Sequence, residues 1–230
     1  MKREKNQQVM MLSGIVVAAI LAFVIVIYLV NNQSAKSNVN FDELQQTRLD
    51  DGGYLLGDPS APITIVEFAD FLCGHCQTYK ETMNRVIEEF VVTGEANFEF
   101  RMIPTSQGSS ENLFRQAECI GASAQSNFWE AHDEFFDLAA SGTRADTIGR
   151  QAADNLGVSY AEVLECSDGM QRNGTEQFNS DRIAGTEGSV RGTPTVFVRY
   201  GGVGGSMQAL ANTQPSFDIL KTAIESVNSQ

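Results

Sequence analysis

The residues with the clearest capacity for chemistry are Cys73-Gly-His75-Cys76. Two cysteines separated by two residues are spaced to make and break a disulfide, provided the chain around them presents them properly. Here it does. Ile63-Thr-Ile-Val-Glu-Phe68 reads as a strand, and Met83, Val86, Ile87 and Phe90 recur with helical spacing just after the pair. Cys73 is therefore expected at or just before the first helical turn, with Cys76 one turn along the same face. Unpaired N–H groups and the positive end of the helix dipole favour a thiolate at that position. His75 adds positive charge there when protonated. A zinc site would need a second C-x-x-C or a histidine pair. The chain has two histidines in all, His75 and His132. No metal is expected, and His132 reads as a packing or surface residue.

The elements that position this pair follow from the flanking sequence. Asp51-Gly-Gly53 is a turn signal ahead of Tyr54-Leu-Leu56, and Asp58-Pro59 and Ala61-Pro62 lead into the strand. Glu67 is the odd residue of that strand. An acid under the C-x-x-C turn is either at an edge facing solvent or buried for use. Asp70 reads as a solvated residue near the helix start. After the helix, Ala96 to Ile103 alternates as a strand with Phe98, Phe100 and Met102 on one face, closed by Pro104. A strand–helix–strand unit of this kind implies a parallel crossover.

A long helical stretch follows, with four helices marked by Leu113 to Ala124, Phe128 to Phe136, Ile148 to Leu156, and Val163 to Cys166. Ser159-x-x-Glu162 reads as a capping box at the start of the fourth. Then Gly188-Ser-Val-Arg-Gly-Thr193-Pro194 enters the β-prone Thr195-Val-Phe-Val-Arg-Tyr200. Gly201 to Gly205 turns toward a last strand near Met207, and Phe217, Leu220, Ile224 and Val227 mark a closing helix. Cys119 and Cys166 fall on the first and fourth helices of the stretch. In the cytosol they would be two buried thiols, and outside it a structural disulfide.

The N-terminus bears on that choice. From Val9 to Val30 no residue is charged, and 22 residues of helix reach about 33 Å, enough for a bilayer core of about 30 Å. Lys2, Arg3 and Lys5 precede this stretch, so its N-terminus is expected in the cytoplasm and the remainder outside. Removing these three and Glu4 leaves 13 basic against 28 acidic residues, a formal charge of −15. A field of that sign repels phosphate backbones and argues against nucleic-acid binding.

Glu67-Phe-Ala-Asp-Phe-Leu-Cys-Gly-His-Cys76, Gly192-Thr-Pro-Thr195 and Leu56-Gly-Asp-Pro-Ser-Ala-Pro62 together resemble the DsbA-like branch of the thioredoxin superfamily. More narrowly, they are similar to its membrane-anchored BdbD type. The resemblance covers about Tyr54 to Val227. It implies an α/β thioredoxin fold with a helical insertion, preceded by one N-terminal transmembrane helix. The expected organisation is a cytoplasmic terminus over residues 1–8, a signal-anchor over 9–30 and a linker over 31–52. The thioredoxin domain would then occupy 53–104 and 188–230, with the insertion over 105–187.

The resemblance also implies site roles. Cys73 and Cys76 would be the redox pair, with His75 beside them and Glu67 as a buried acid exchanging protons with Cys76. Thr193 and a cis Pro194 would hold an extended substrate segment, and Cys119 and Cys166 would form a structural disulfide. The expected function is disulfide introduction into exported proteins, with reoxidation by a quinone-linked membrane partner of the DsbB type and no bound cofactor. The Gly-His dipeptide, where the DsbA group has Pro-His, and Thr193 before the proline are also found in isomerase-like relatives. A membrane-tethered reductase or isomerase, or a non-enzymatic thioredoxin-like binding module, are the alternative readings.

Overall fold

The computed structural model describes residues 19–24, 39–174, 177–187 and 190–229. The chain divides between Lys36 and Ser37, and apart from the helical residues 19–24 everything described lies in the second unit. The stretch from Val9 to Val30 read as membrane-spanning therefore falls largely outside the described residues. Among the described residues no helix is long and apolar enough to cross a membrane.

The second unit begins with a 3-10 turn, Phe41–Glu43, whose Asp42 N–H donates to the Asn40 side chain. Two short strands, β1 (Gln46–Arg48) and β2 (Tyr54–Leu56), pair antiparallel around the Asp51-Gly-Gly53 turn. The linker expected over residues 31–52 thus contains a sheet-edge strand. It is three residues long, too short for its alternation to register in the sequence. The frame continues through β3 (Ile63–Ala69), α1 (Gly74–Val86) with a π turn at Ile87–Val91, and β4 (Asn97–Met102). Five helices follow: α2 (Ser109–Gly121), α3 (Phe128–Ala140), α4 (Ala145–Asn155), α5 (Tyr160–Asn173) and α6 (Gln177–Glu187). The chain closes with β5 (Thr195–Tyr200), β6 (Met207–Ala209) and α7 (Phe217–Asn228).

The sheet order is β1-β2-β4-β3-β5-β6, with β3 and β4 parallel and every other pair antiparallel. β3 is central, and all seven of its residues are buried. One face, through Ile63, Ile65 and Ala69, joins a core containing Met83 and Val86 of α1, Leu220 and Ile224 of α7, and the aromatic side chains of α2 and α3. Val66 and Phe68 on the other face pack with Phe197, Ile103 and Ala184. A strand covered on both faces explains the unbroken run of β-branched and apolar residues in its sequence.

Two of the helical expectations change. Ser159 caps α5 without a side-chain hydrogen bond, so the capping box expected at Ser159 and Glu162 does not form. A capping box does form at α3, where Asn127 accepts from the Glu130 N–H and Glu130 accepts from the Asn127 N–H. Helix α6 was not anticipated, because its polar sequence shows no apolar period. Phe178 seats it in the main core, and a polar cluster ties it to the sheet. Asp181 accepts from the Met102 N–H (2.8 Å) at the end of β4 and pairs with Arg101 (3.2 Å).

Arg101 is fully buried and meets three carboxylates: Glu99 and Asp51, each at 2.6 Å, and Asp181. Gly53 makes room for it, since a Cβ there would lie 2.8 Å from the guanidinium carbon. This cluster ties β4 to the turn before β2 and to α6. Removing the cation leaves Asp181 buried without its cation and Glu99 with Arg199 (3.2 Å) alone, and breaking a buried pair of this kind costs about 3–5 kcal/mol. Arg101→Met should lower the unfolding free energy in urea by that amount. A loss under about 1 kcal/mol would show that the cluster does not hold α6 in place.

Candidate active site

Because β3 runs out under the N-terminus of α1, Cys73 becomes the N-cap of that helix and Cys76 its first inward-facing residue. Cys73 is half-buried, and its Sγ accepts a hydrogen bond from the Cys76 N–H (3.4 Å). Cys76 is 1% exposed. Both are free thiols in this structure. The two sulfurs are thus unequal: one faces solvent at a helix N-terminus, and the other lies in the core. Burial pushes the Cys76 thiol upward, and the charge of Glu67 and the contact with Cys73 add to the shift. His75 is exposed on the first turn of α1.

Glu67 lies on central β3, not at an edge, and is 3% exposed. Its side chain belongs to the face of β3 that packs under α1, two residues from Ile65 and Ala69 of the same core. Burial raises its pKa to about 8. Its charge also helps to raise Tyr79, three residues after Cys76 on the same helix face.

Thr193–Pro194 is a cis peptide bond, and the Cys73 thiol donates to the Thr193 carbonyl (3.3 Å). The structure therefore brings together residues 120 positions apart in sequence. Next to Thr193 and Pro194 is a groove of about 430 Å³, lined by residues 191–197 and by Ala209, Leu210, Asn212, Thr213 and Gln214.

Asp70 is not the solvated residue the sequence suggested; it is fully buried. Its carboxylate accepts from the N–H groups of Leu72 (3.0 Å) and Thr105 (2.6 Å) and from the hydroxyls of Thr105 and Ser110. Its backbone carbonyl accepts from the Cys73 N–H (3.0 Å). The small polar residues that hold it lie 35 and 40 positions away, so the local sequence gives no signal of the burial. Only the closure of Thr105 and Ser110 over it makes the site dry. Tyr79 was likewise absent from the sequence-derived site. It takes its place from a hydroxyl that donates to the Pro215 carbonyl (2.6 Å).

The remaining candidates lie outside this cluster. Cys119 and Cys166 are joined in a disulfide with Cα atoms 5.9 Å apart, linking α2 to α5. His132 is buried between the rings of Phe100 and Phe136, with Nδ1 3.2 Å from Asp133, and burial holds its pKa below the usual range. Among the described residues no three His, Cys, Asp or Glu side chains converge to hold a metal.

Comparison with known proteins agrees with the fold. The family described as Thioredoxin matches residues 49–211. The Bacillus anthracis protein named "Probable disulfide bond formation protein D" is 26% identical over 229 residues, 96% of this chain and 97% of that protein. Among solved structures, oxidised BdbD from Bacillus subtilis has a TM-score of 0.61 at 20% identity, covering 76% of this chain and 92% of that one. Alpha-DsbA1 from Wolbachia pipientis has a TM-score of 0.63 at 16% identity, covering 77% and 91%. The family match runs from the turn before β2 to the end of β6 and includes the helical layer, and the chain belongs to the thioredoxin family, built on the DsbA-like plan with a helical insertion between β4 and β5.

Proposed function

We propose that this protein is a thiol–disulfide oxidoreductase that introduces disulfides into exported proteins through Cys73 and Cys76. The observation that carries this reading is the inequality of the two sulfurs, with Cys73 half-buried at a helix N-cap and Cys76 in the core above an unpaired acid. In the oxidised form, a client thiolate attacks Cys73 Sγ and the Cys73–Cys76 bond breaks. Cys76 leaves as a thiolate and takes the proton of Glu67, whose raised pKa keeps it protonated near neutral pH. A second client thiolate then attacks the client sulfur of the mixed disulfide, and Cys73 leaves as a thiolate. The client has lost two electrons and the enzyme has gained them. Negative charge on Cys73 faces the Cys76 amide and the helix dipole, with His75 beside it, which favours the reduced form and hence oxidation of clients.

Thr193 and Pro194 bound the groove in which an extended client segment would lie beside the pair. The Cys119–Cys166 disulfide supports an oxidising compartment. Anchoring by the stretch from Val9 to Val30 is supported by the basic residues before it and by the exposure of Ile20, Leu21, Phe23 and Val24. The domain would then face outward from the membrane and depend on a quinone-linked membrane oxidase for reoxidation.

The test is the reduction potential of the full chain in detergent, equilibrated against glutathione. Mass spectrometry of alkylated peptides keeps the Cys73/Cys76 pair apart from Cys119/Cys166. A value well above that of thioredoxin at about −270 mV, toward that of DsbA at about −120 mV, is expected of an oxidant. A value at or below thioredoxin's makes the protein a reductase. Cys73→Ser should abolish oxidation of a dithiol peptide.

Glu67 yields a pH prediction. Its folded pKa of about 8 lies above the ordinary 4.5, so its contribution to the stability of the reduced protein is full below about pH 4.5 and is lost as pH rises through 8. Glu67→Gln should remove that decline, which reaches at most about 1.4 kcal/mol per pH unit. It should also slow reoxidation of the dithiol about tenfold or more at about pH 9, where Glu67 is ionised and serves as the base that accepts the Cys76 proton. Unchanged pH dependence of both quantities would rule Glu67 out as the proton carrier.

A further inference from the structure

We propose that Tyr79 is a positioning residue that fastens the outer wall of the client groove to the redox helix, and so sets how tightly extended clients are held beside Cys73. This rests on the groove being the client site. The wall is the irregular segment between β6 and α7. Residues 211–214 of it are exposed, while Pro215 is buried. No strand or helix includes residues 210–216, so the position of the segment depends on individual hydrogen bonds. Two of these reach the active-site elements. The Val196 N–H, two residues past the cis proline, donates to the Thr213 carbonyl (2.9 Å). The Tyr79 hydroxyl, one turn past Cys76 on α1, donates to the Pro215 carbonyl (2.6 Å).

Each bond ties the wall to a different half of the site. The first links it to the proline strand, and the second links it to the helix that carries both cysteines. Tyr79 is 8% exposed and packs in the main core, so its hydroxyl is aimed by a confined side chain. Pro215 supplies no N–H of its own and limits the backbone at the anchored point. Loss of the hydroxyl leaves a buried carbonyl without its donor and frees one end of the wall. A client lying across the groove meets this wall, whereas a small dithiol that reaches Cys73 from solvent does not.

Tyr79→Phe in the full-length chain tests this. Turnover is measured with a reduced two-cysteine peptide, and separately with dithiothreitol, with oxidised glutathione as electron acceptor in both. The expected result is a KM for the peptide raised about three- to tenfold, the loss of one hydrogen bond, with kcat within about twofold. The ratio of kcat/KM for peptide over dithiothreitol falls by the same factor, and the reduction potential stays where it was. Amide exchange should quicken at Val196 but not at Val198 deeper in β5, since general destabilisation would quicken both. An unchanged KM together with unchanged Val196 exchange overturns the proposal. A shift in kcat and potential at constant KM also overturns it, because the hydroxyl would then be acting on Cys76 or Glu67. If the unsubstituted protein oxidises no peptide at all, it is the proposed function that fails, and Val196 exchange alone decides whether Tyr79 holds the wall.

Discussion

Four hydrogen bonds converge on the carboxylate of Asp70 at the point where the sheet, the redox turn and the helical insertion meet. The Leu72 amide fixes the turn that ends β3. Thr105 and Ser110 belong to the exit from β4 and to the first turn of α2. The backbone carbonyl of the same residue receives the Cys73 amide. A carboxylate buried in this way is tolerable only while all its donors are present, so the three elements are placed together or not at all. The orientation of Cys73 at the head of α1 depends on this point. So does the approach of the insertion, whose α3 is tied back to α1 by the ion pair of Lys80 with Asp137 (2.9 Å).

Around that point the fold separates two sulfurs that differ little in sequence. One turn of helix carries Cys76 from the surface into the core, where burial and a neighbouring acid both oppose its ionisation. Cys73 keeps access to solvent and to the amide of its partner. The difference comes from the direction in which α1 packs. The inward face of the helix continues through Tyr79, Met83 and Val86 into the main core, and whatever stands at position 76 must be buried with them. Exchange chemistry needs one exposed sulfur to be attacked and one protected sulfur to be released, and amphipathic packing supplies both.

The sequence made the redox pair legible because three local signals coincide there: a β-branched run, a C-x-x-C and a helical period. The core faces of β3, β4 and α7 were legible for the same reason, as were the four helices with apolar periods. What was not legible is polar. Asp70 reads as a solvated residue and nothing marks Arg101 for burial, until Thr105, Ser110, Gly53 and Asp181 close around them. Helix α6 has no apolar stripe, and its place is set by the single buried ring of Phe178 and by Asp181 reaching β4. The hydroxyl of Tyr79 finds its acceptor 136 residues away. Such contacts depend on partners brought close by the finished fold, and no window of sequence contains both ends.

The hydrogen bond from Cys73 to Thr193 spans 120 residues, and β5 pairs with β3 over a similar distance. The strand–helix–strand unit around the dithiol is local, whereas the proline loop that faces it belongs to the last part of the chain. In a protein delivered from its N-terminus, the reactive pair emerges before the segment that covers it, and Cys119 emerges while that pair is still open. The competence of the site is therefore set late, by docking of the final fifth of the chain. Until β5 joins the sheet, the C-x-x-C is only a pair of reactive thiols without the loop that would align a client beside it.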